Sequence, residues 1–218
     1  MTTPPEPAAA LQLGPRDLPE LLEKRVIDDP KTIKVLSDPL RIQILRVLGE
    51  GVRAQPRVWT VKQLAEAIGV PPGKLYWHVK QLLAVEMIQV AEVAVVGGII
   101  EQRYRVAQVG FRVDVEKLGG EPAGNEDAMA LAETAGEDYL RRLRTAVMSG
   151  RAFISEDQSL AHSPHVRTIG ASMDVRIPQA KAAEFAQRLA ALMEEFEANE
   201  HDQTGVQANL LAFFYATE

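Results

Sequence analysis

Cysteine is absent from this chain, which removes disulfides, thiolate metal sites, iron–sulfur clusters and thiol redox sensing together. No apolar run approaches the roughly 20 residues that a membrane-spanning helix needs, so no membrane partner is expected. The opening residues, MTTPPEPAAALQLGP, lack the basic start and apolar core of a secretory signal. A cytoplasmic address is the expectation. Motifs of catalysis are missing as well: no phosphate-binding glycine loop, no nucleophile elbow and no metalloprotease helix. The chain is therefore read as a non-enzyme with no catalytic residue, no cofactor and no metal. An overall basic charge is also lacking, since 24 Lys and Arg stand against 30 Asp and Glu, a net charge of −6.

That deficit is unevenly spread. From Pro30 to Val113 there are 12 Lys and Arg against 6 Asp and Glu, a balance of +6, so the remainder carries −12. Phosphate contact depends on the local field, screened over about 10 Å, rather than on the chain total. The distribution suits a basic reading head on an acidic body. With 218 residues, 46% of them hydrophobic, there is material for one sizeable domain or two small ones.

Along the chain, residues 1–16 are rich in Pro and Ala and read as a disordered tail. Leu18 to Ile27 reads as a short helix with Pro19 near its start, and Pro30 opens a second, capped by Asp28 or Asp29. Ser37-Asp38-Pro39 is a helix stop followed by a fresh cap. The next helix, rich in Leu40, Ile42, Ile44, Leu45, Val47 and Leu48, belongs at the centre of the head and ends at Gly49 and Gly51. Thr60 then caps a helix over Val61 to Ala67, with Gln63 as its capping-box partner. Gly69 supplies the sharp turn, and Pro71-Pro72 open a third helix, where a missing N–H costs nothing. In that helix Leu75, Val79, Leu82 and Leu83 have the spacing of a core face. Lys74, Tyr76, Trp77, Lys80 and Gln81 are left to point elsewhere. Met87 to Val96 and Ile99 to Ala107 are β-favouring runs joined by Gly97-Gly98, a compact hairpin signal. This order is that of a winged helix-turn-helix over residues 17–113.

Beyond the head, a helical pattern over residues 126–150 carries Met129, Leu131, Tyr139, Leu140, Leu143 and Val147. With no second core nearby in sequence, a helix of another subunit is the expected cover. Residues 165–218 read as a small α+β domain. Its strand runs from His165 to Ile177, its amphipathic helix over Gln179 to Asn199, with Ala186, Leu189, Leu192, Met193 and Phe196 as the apolar face. An apolar strand, Val206 to Ala216, completes it. The fold class is thus α+β: a winged head, a long dimerisation helix and a strand–helix–strand C-terminal domain.

The segments LSDPLRIQILRVL, TVKQLAEAIGVPPGKLYWHVKQLLAVEMIQV and GGIIEQRYRVA, about residues 30–107, resemble the ArsR-type winged-helix transcriptional regulators. The likeness is nearest to the branch whose third helix reads Leu-Tyr-aromatic-His, here Leu75, Tyr76, Trp77 and His78. It implies a homodimer that binds double-stranded DNA at a palindromic operator and usually represses; the signal sensed is left open, and an effector of small-molecule type is a separate expectation. The metal-sensing members carry a cysteine motif where this chain has ILRVL, so no thiolate metal site is inherited.

Several side chains follow as candidates for DNA contact. Lys74 and Lys80 meet phosphates, while Tyr76, Trp77, His78 and Gln81 approach base edges or backbone. The plainer alternative packs Trp77 and His78 inward. Arg103 and Arg105 on the wing clamp phosphate or enter the minor groove, or are ordinary strand arginines. Lys62 and Gln63 sit at a helix start that can meet phosphate, although capping alone accounts for Thr60. His162 and His165, with His201 and Asp202, form a weak metal pattern that Pro164 interrupts. The run Glu194, Glu195, Glu197 and Glu200 is a solvated helix face. Two other classes stay open: a winged-helix protein–protein interaction module, and a ligand-binding protein without operator binding.

Overall fold

The computed structural model describes residues 14–52, 56–114, 117, 122–152, 175–199 and 208–215. The chain divides into two compact units, residues 1–135 and 136–218, and the division falls inside its longest helix.

The first unit is built on four helices and two sheets, with the start of a fifth helix. Helix α1 (Pro30–Leu36) starts where Asp29 Oδ1 accepts from the Thr32 N–H at 2.8 Å, with Pro30 in the first turn. Helix α2 (Pro39–Gly49) starts the same way: Asp38 Oδ1 accepts from the N–H groups of Leu40 and Arg41 at 2.9 and 3.1 Å. Each aspartate satisfies donors that a helix start leaves unpaired and places negative charge where the helix dipole favours it. Helix α3 (Val61–Ile68) carries the full capping box. The Gln63 N–H donates to Thr60 Oγ1 at 3.1 Å, and Gln63 Oε1 accepts from the Thr60 N–H at 2.9 Å. Helix α4 (Pro72–Ala84) begins without a side-chain cap, on Pro71 and Pro72.

Between α3 and α4 the chain reverses at Gly69, whose φ of 81° lies in the left-handed region. A Cβ built there meets nothing within 4 Å, so the demand for glycine is conformational, not steric. Gly69→Ala is expected to cost about 1–2 kcal/mol, read as a lower urea midpoint at unchanged slope. An unaffected midpoint would mean that the turn is not held in this conformation.

A four-stranded sheet takes the order β1-β4-β5-β3: β1 (Gly14–Pro15), β4 (Ile88–Val96), β5 (Ile99–Val106) and β3 (Trp59–Thr60). Every neighbouring pair is antiparallel. Strands β4 and β5 form the expected hairpin, and Gly97 and Gly98, with φ of 58° and 79°, supply the two left-handed residues that its tight turn needs. A bulge lies between Val90 and Glu92. The core joins Ile33, Leu36, Ile44, Leu48, Leu64, Leu75, Leu82, Met87 and Ile88, all buried, with Val79, Tyr104 and Val106 around them.

Two expectations are corrected here. Leu18 to Ile27 is not a helix: Leu22–Ile27 forms strand β2, paired in parallel with β6 (Gln108–Val113), from Leu22 opposite Gln108 to Ile27 opposite Val113. The helix-favouring run LPELLEKR is overridden by tertiary pairing, and Arg25 fixes the strand by donating to the Val85 carbonyl at 2.8 Å. Residues 14–16, assigned to the tail, pair with the hairpin: Gly14 lies opposite Val93, and the Arg16 N–H donates to the Ala91 carbonyl at 2.9 Å. Residues 1–13 lie outside the described residues. The start of helix α5 (Pro122–Met148) also packs within its own chain. Leu131 joins the core, and Thr134 Oγ1 donates to the Ser37 carbonyl at 3.1 Å.

In the second unit, buried Asp138 on α5 is held by Arg141 and by Arg142, whose Nε donates at 2.9 Å. Arg142 also donates to Asn209 Oδ1 at 2.6 Å. Helix α6 (Gln179–Glu197) matches the expected amphipathic helix. Along its apolar face Ala186, Leu192, Met193 and Phe196 are exposed and Leu189 half-buried. The strands expected around α6 are not seen among the described residues: 175–178 and 208–215 have no strand pairing. The rest of both segments, with His162, His165, His201 and Asp202, lies outside the described residues.

Candidate nucleic-acid interface

Helix α4 sorts its side chains by the turn of the helix. Leu75, Val79 and Leu82 are buried against α2, α3 and the sheet. On the outer side stand Tyr76, 61% exposed, and Trp77, 56% exposed. Lys74 and Lys80 are exposed and Gln81 half-buried. Two large aromatics left in water beside two lysines form a surface that this fold does not need for its own core.

Trp77 is nonetheless held in place. The Arg41 guanidinium, from the first turn of α2, lies 5.3 Å from the ring centroid, and the His78 ring meets Trp77 edge-on at 5.0 Å. Arg41 is itself buried, with Nη2 3.7 Å from Asp38 Oδ2. His78 faces the same carboxylate, its Nδ1 3.5 Å from Asp38 Oδ1. Burial pushes the His78 imidazole below its ordinary pKa; Asp38 opposes the shift, and Arg41 and Lys74 add to it. His78 is thus a mostly covered, neutral ring at pH 7.

Tyr76 takes the opposite flank of α4, toward the hairpin. It lies close enough to Tyr104 on β5 to add to the upward shift that burial imposes on the Tyr104 phenol, whose O–H donates to Gln102 Oε1 at 2.9 Å. At the start of α3, Lys62 and Gln63 are exposed. The Gln63 carboxamide oxygen is committed to the capping box, which leaves its amide hydrogens as the end able to meet an anion.

The wing arginines are more constrained than their spacing suggests. Arg103 Nη1 donates to Glu92 Oε2 at 3.0 Å, and its Nε lies 3.7 Å from Glu101 Oε1. Arg105 Nη2 donates to the Pro19 carbonyl at 2.7 Å. Carboxylates therefore offset the charge of Arg103, while Arg105, bonded to a neutral carbonyl, keeps its own. Its tip is apolar, with Val95, Val96, Ile99 and Ile100 all exposed. Asp38, Arg41, Glu92 and Glu101 escaped the sequence reading as parts of this surface. Counting outward from Gly97-Gly98 does place Glu92 opposite Arg103, whereas the contact of Asp38 with α4 depends on helix packing. Among the described residues, no group of three or more His, Asp or Glu is placed to hold a metal ion, and no helix is long and apolar enough to cross a membrane.

A family model described as a helix-turn-helix domain matches residues 36–91, from the end of α1 into β4. No curated protein matches the chain. The class this defines is a DNA-binding regulator: the head is a helix-turn-helix domain, and α4 stands where such a domain carries its reading helix.

Proposed function

We propose that this chain is a winged-helix repressor of the ArsR type that binds a palindromic operator as a homodimer. One observation carries the reading: α4 buries a complete apolar face while presenting Tyr76 and Trp77 to solvent between Lys74 and Lys80. Two such helices related by a two-fold axis reach successive major grooves, about 34 Å apart. Lys62, Lys74 and Lys80 supply phosphate contacts, and Tyr76, Trp77 and Gln81 supply sequence discrimination. Helix α5 provides the dimer contact, an assignment supported by exposed Met129, Leu140 and Met148 along its length. The protein acts in the cytoplasm, catalyses no reaction and answers to a small-molecule effector that favours one dimer geometry.

The test is an anisotropy titration against DNA from the chain's own upstream region and against a genomic fragment pool, at two salt concentrations, alongside light scattering for mass. Salt-sensitive, sequence-selective binding by a dimer is expected. Failure of every fragment at low salt overturns the reading. A second reading, a protein-interaction module, is favoured by the apolar wing tip and by the carboxylates that hold Arg103. It is distinguished by partner binding that salt leaves unchanged.

A further inference from the structure

A shallow cleft of about 350 Å³ opens between the start of α2 and the flank of α4, beside the reading surface. Its polar wall is Asp38, Gln43, Lys74 and His78, and Leu40 and Val70 line it on the apolar side. We propose that this cleft seats one sugar–phosphate step of the DNA backbone, with Lys74, Gln43 and His78 holding the phosphate and Leu40 and Val70 under the deoxyribose. The proposal rests on the DNA-binding reading and adds to it a fixed anchor that sets how α4 is oriented in its groove.

The charges in the cleft favour an anion despite Asp38. That carboxylate accepts from the N–H groups of Leu40 and Arg41 and faces the Arg41 guanidinium, so its charge is met from within the protein. The Lys74 ammonium, on an exposed side chain, is left to set the sign of the open side. His78 Nδ1 is buried and has no hydrogen-bond partner, standing 3.5 Å from Asp38 Oδ1. A buried ring nitrogen in that position is an unfinished contact. Protonation completes it: Nδ1–H then donates to Asp38, and Nε2–H is the donor left for an oxyanion in the cleft. The cleft is shallow and open, which suits a backbone passing over it better than a small molecule enclosed in it.

The arriving phosphate adds a negative charge beside Lys74, Arg41, Asp38 and His78, and of these the imidazole is the group that titrates near neutrality. Free protein holds His78 below its ordinary pKa, because of burial and the two cations; bound phosphate raises it. Between the two values the complex carries more protons than the free protein, so affinity rises as pH falls through that window.

The experiment uses the full chain and an operator fragment selected from the genomic pool. Lys74→Ala, Gln43→Ala, His78→Gln and Trp77→Ala are compared by anisotropy over a salt series at pH 6 and pH 8, each variant checked by circular dichroism. Lys74→Ala is expected to lower the slope of log affinity against log salt by about 1 and to weaken all sequences alike. Gln43→Ala weakens binding several-fold without changing the order of preferred sequences, and His78→Gln flattens the pH dependence. A scan of single methylphosphonates is expected to find one phosphate per half-site whose neutralisation harms the wild type but not Lys74→Ala. Gln43 is half-buried on α2, outside the core, so its variant tests the cleft even if His78→Gln unfolds. If Trp77→Ala alone weakens binding, and no phosphate couples to Lys74 or Gln43, the anchor is overturned and the DNA-binding reading stands. If the wild type binds no DNA, both fall.

Discussion

Trp77→Ala is expected to weaken operator binding about thirtyfold, about 2 kcal/mol, and to move the urea midpoint little. The indole is more than half exposed, so its removal takes little apolar surface out of the folded state. What it loses lies in the complex. A good groove contact is worth about 1–3 kcal/mol of discrimination, whereas the stack on Arg41, at most about 1 kcal/mol at an exposed site, is already made in the free protein and bears only on the melt. Arg41 holds the ring at 5.3 Å before DNA arrives, so less ordering remains to be done on binding. Anisotropy titration and a urea melt of the same preparation check both halves. Unchanged affinity would remove the outer face of α4 from the interface.

Leu75→Ala, two residues earlier on the same helix, is expected to do the reverse. Leu75 is fully buried in the core, and truncating such a leucine costs about 2–5 kcal/mol through lost transfer energy and the cavity left behind. Against a total of about 5–15 kcal/mol for a domain, that is a large share. The midpoint should fall at unchanged slope, while protein that stays folded keeps its affinity for DNA. A loss below 1 kcal/mol would mean that α4 is not anchored through this side chain. Together the two variants separate the reading face from the anchoring face of a single helix.

What the sequence revealed divides by distance along the chain. The Thr60–Gln63 capping box, the left-handed Gly69 and the Gly97-Gly98 turn are decided by residues within a few positions of one another, and all were legible. The inward spacing of Leu75, Val79 and Leu82 was equally local. Strand β2 was not legible: its own residues favour a helix, and its partner, β6, lies some eighty positions away. The same holds for the outer surface. That Tyr76 and Trp77 face outward follows from helical period, but the Asp38–Arg41–Trp77–His78 cluster follows from how α2 crosses α4. The wing shows a third case. The order of residues contained the Glu92–Arg103 pairing, yet reading charge without register made the arginines look free.

The parallel pairing of β2 with β6 also has a mechanical meaning. The chain runs into the helices along one of these strands and out of the wing along the other, side by side and in the same direction. Everything between Ile27 and Gln108, helices and wing included, is therefore a loop tied at its base. Its ends cannot drift apart while the tie holds, so an inner helix that opens briefly does so without a fresh loss of chain-end proximity. Tension arriving along β6 would be met at this clasp, in shear along several hydrogen bonds at once, before it reached helix α4.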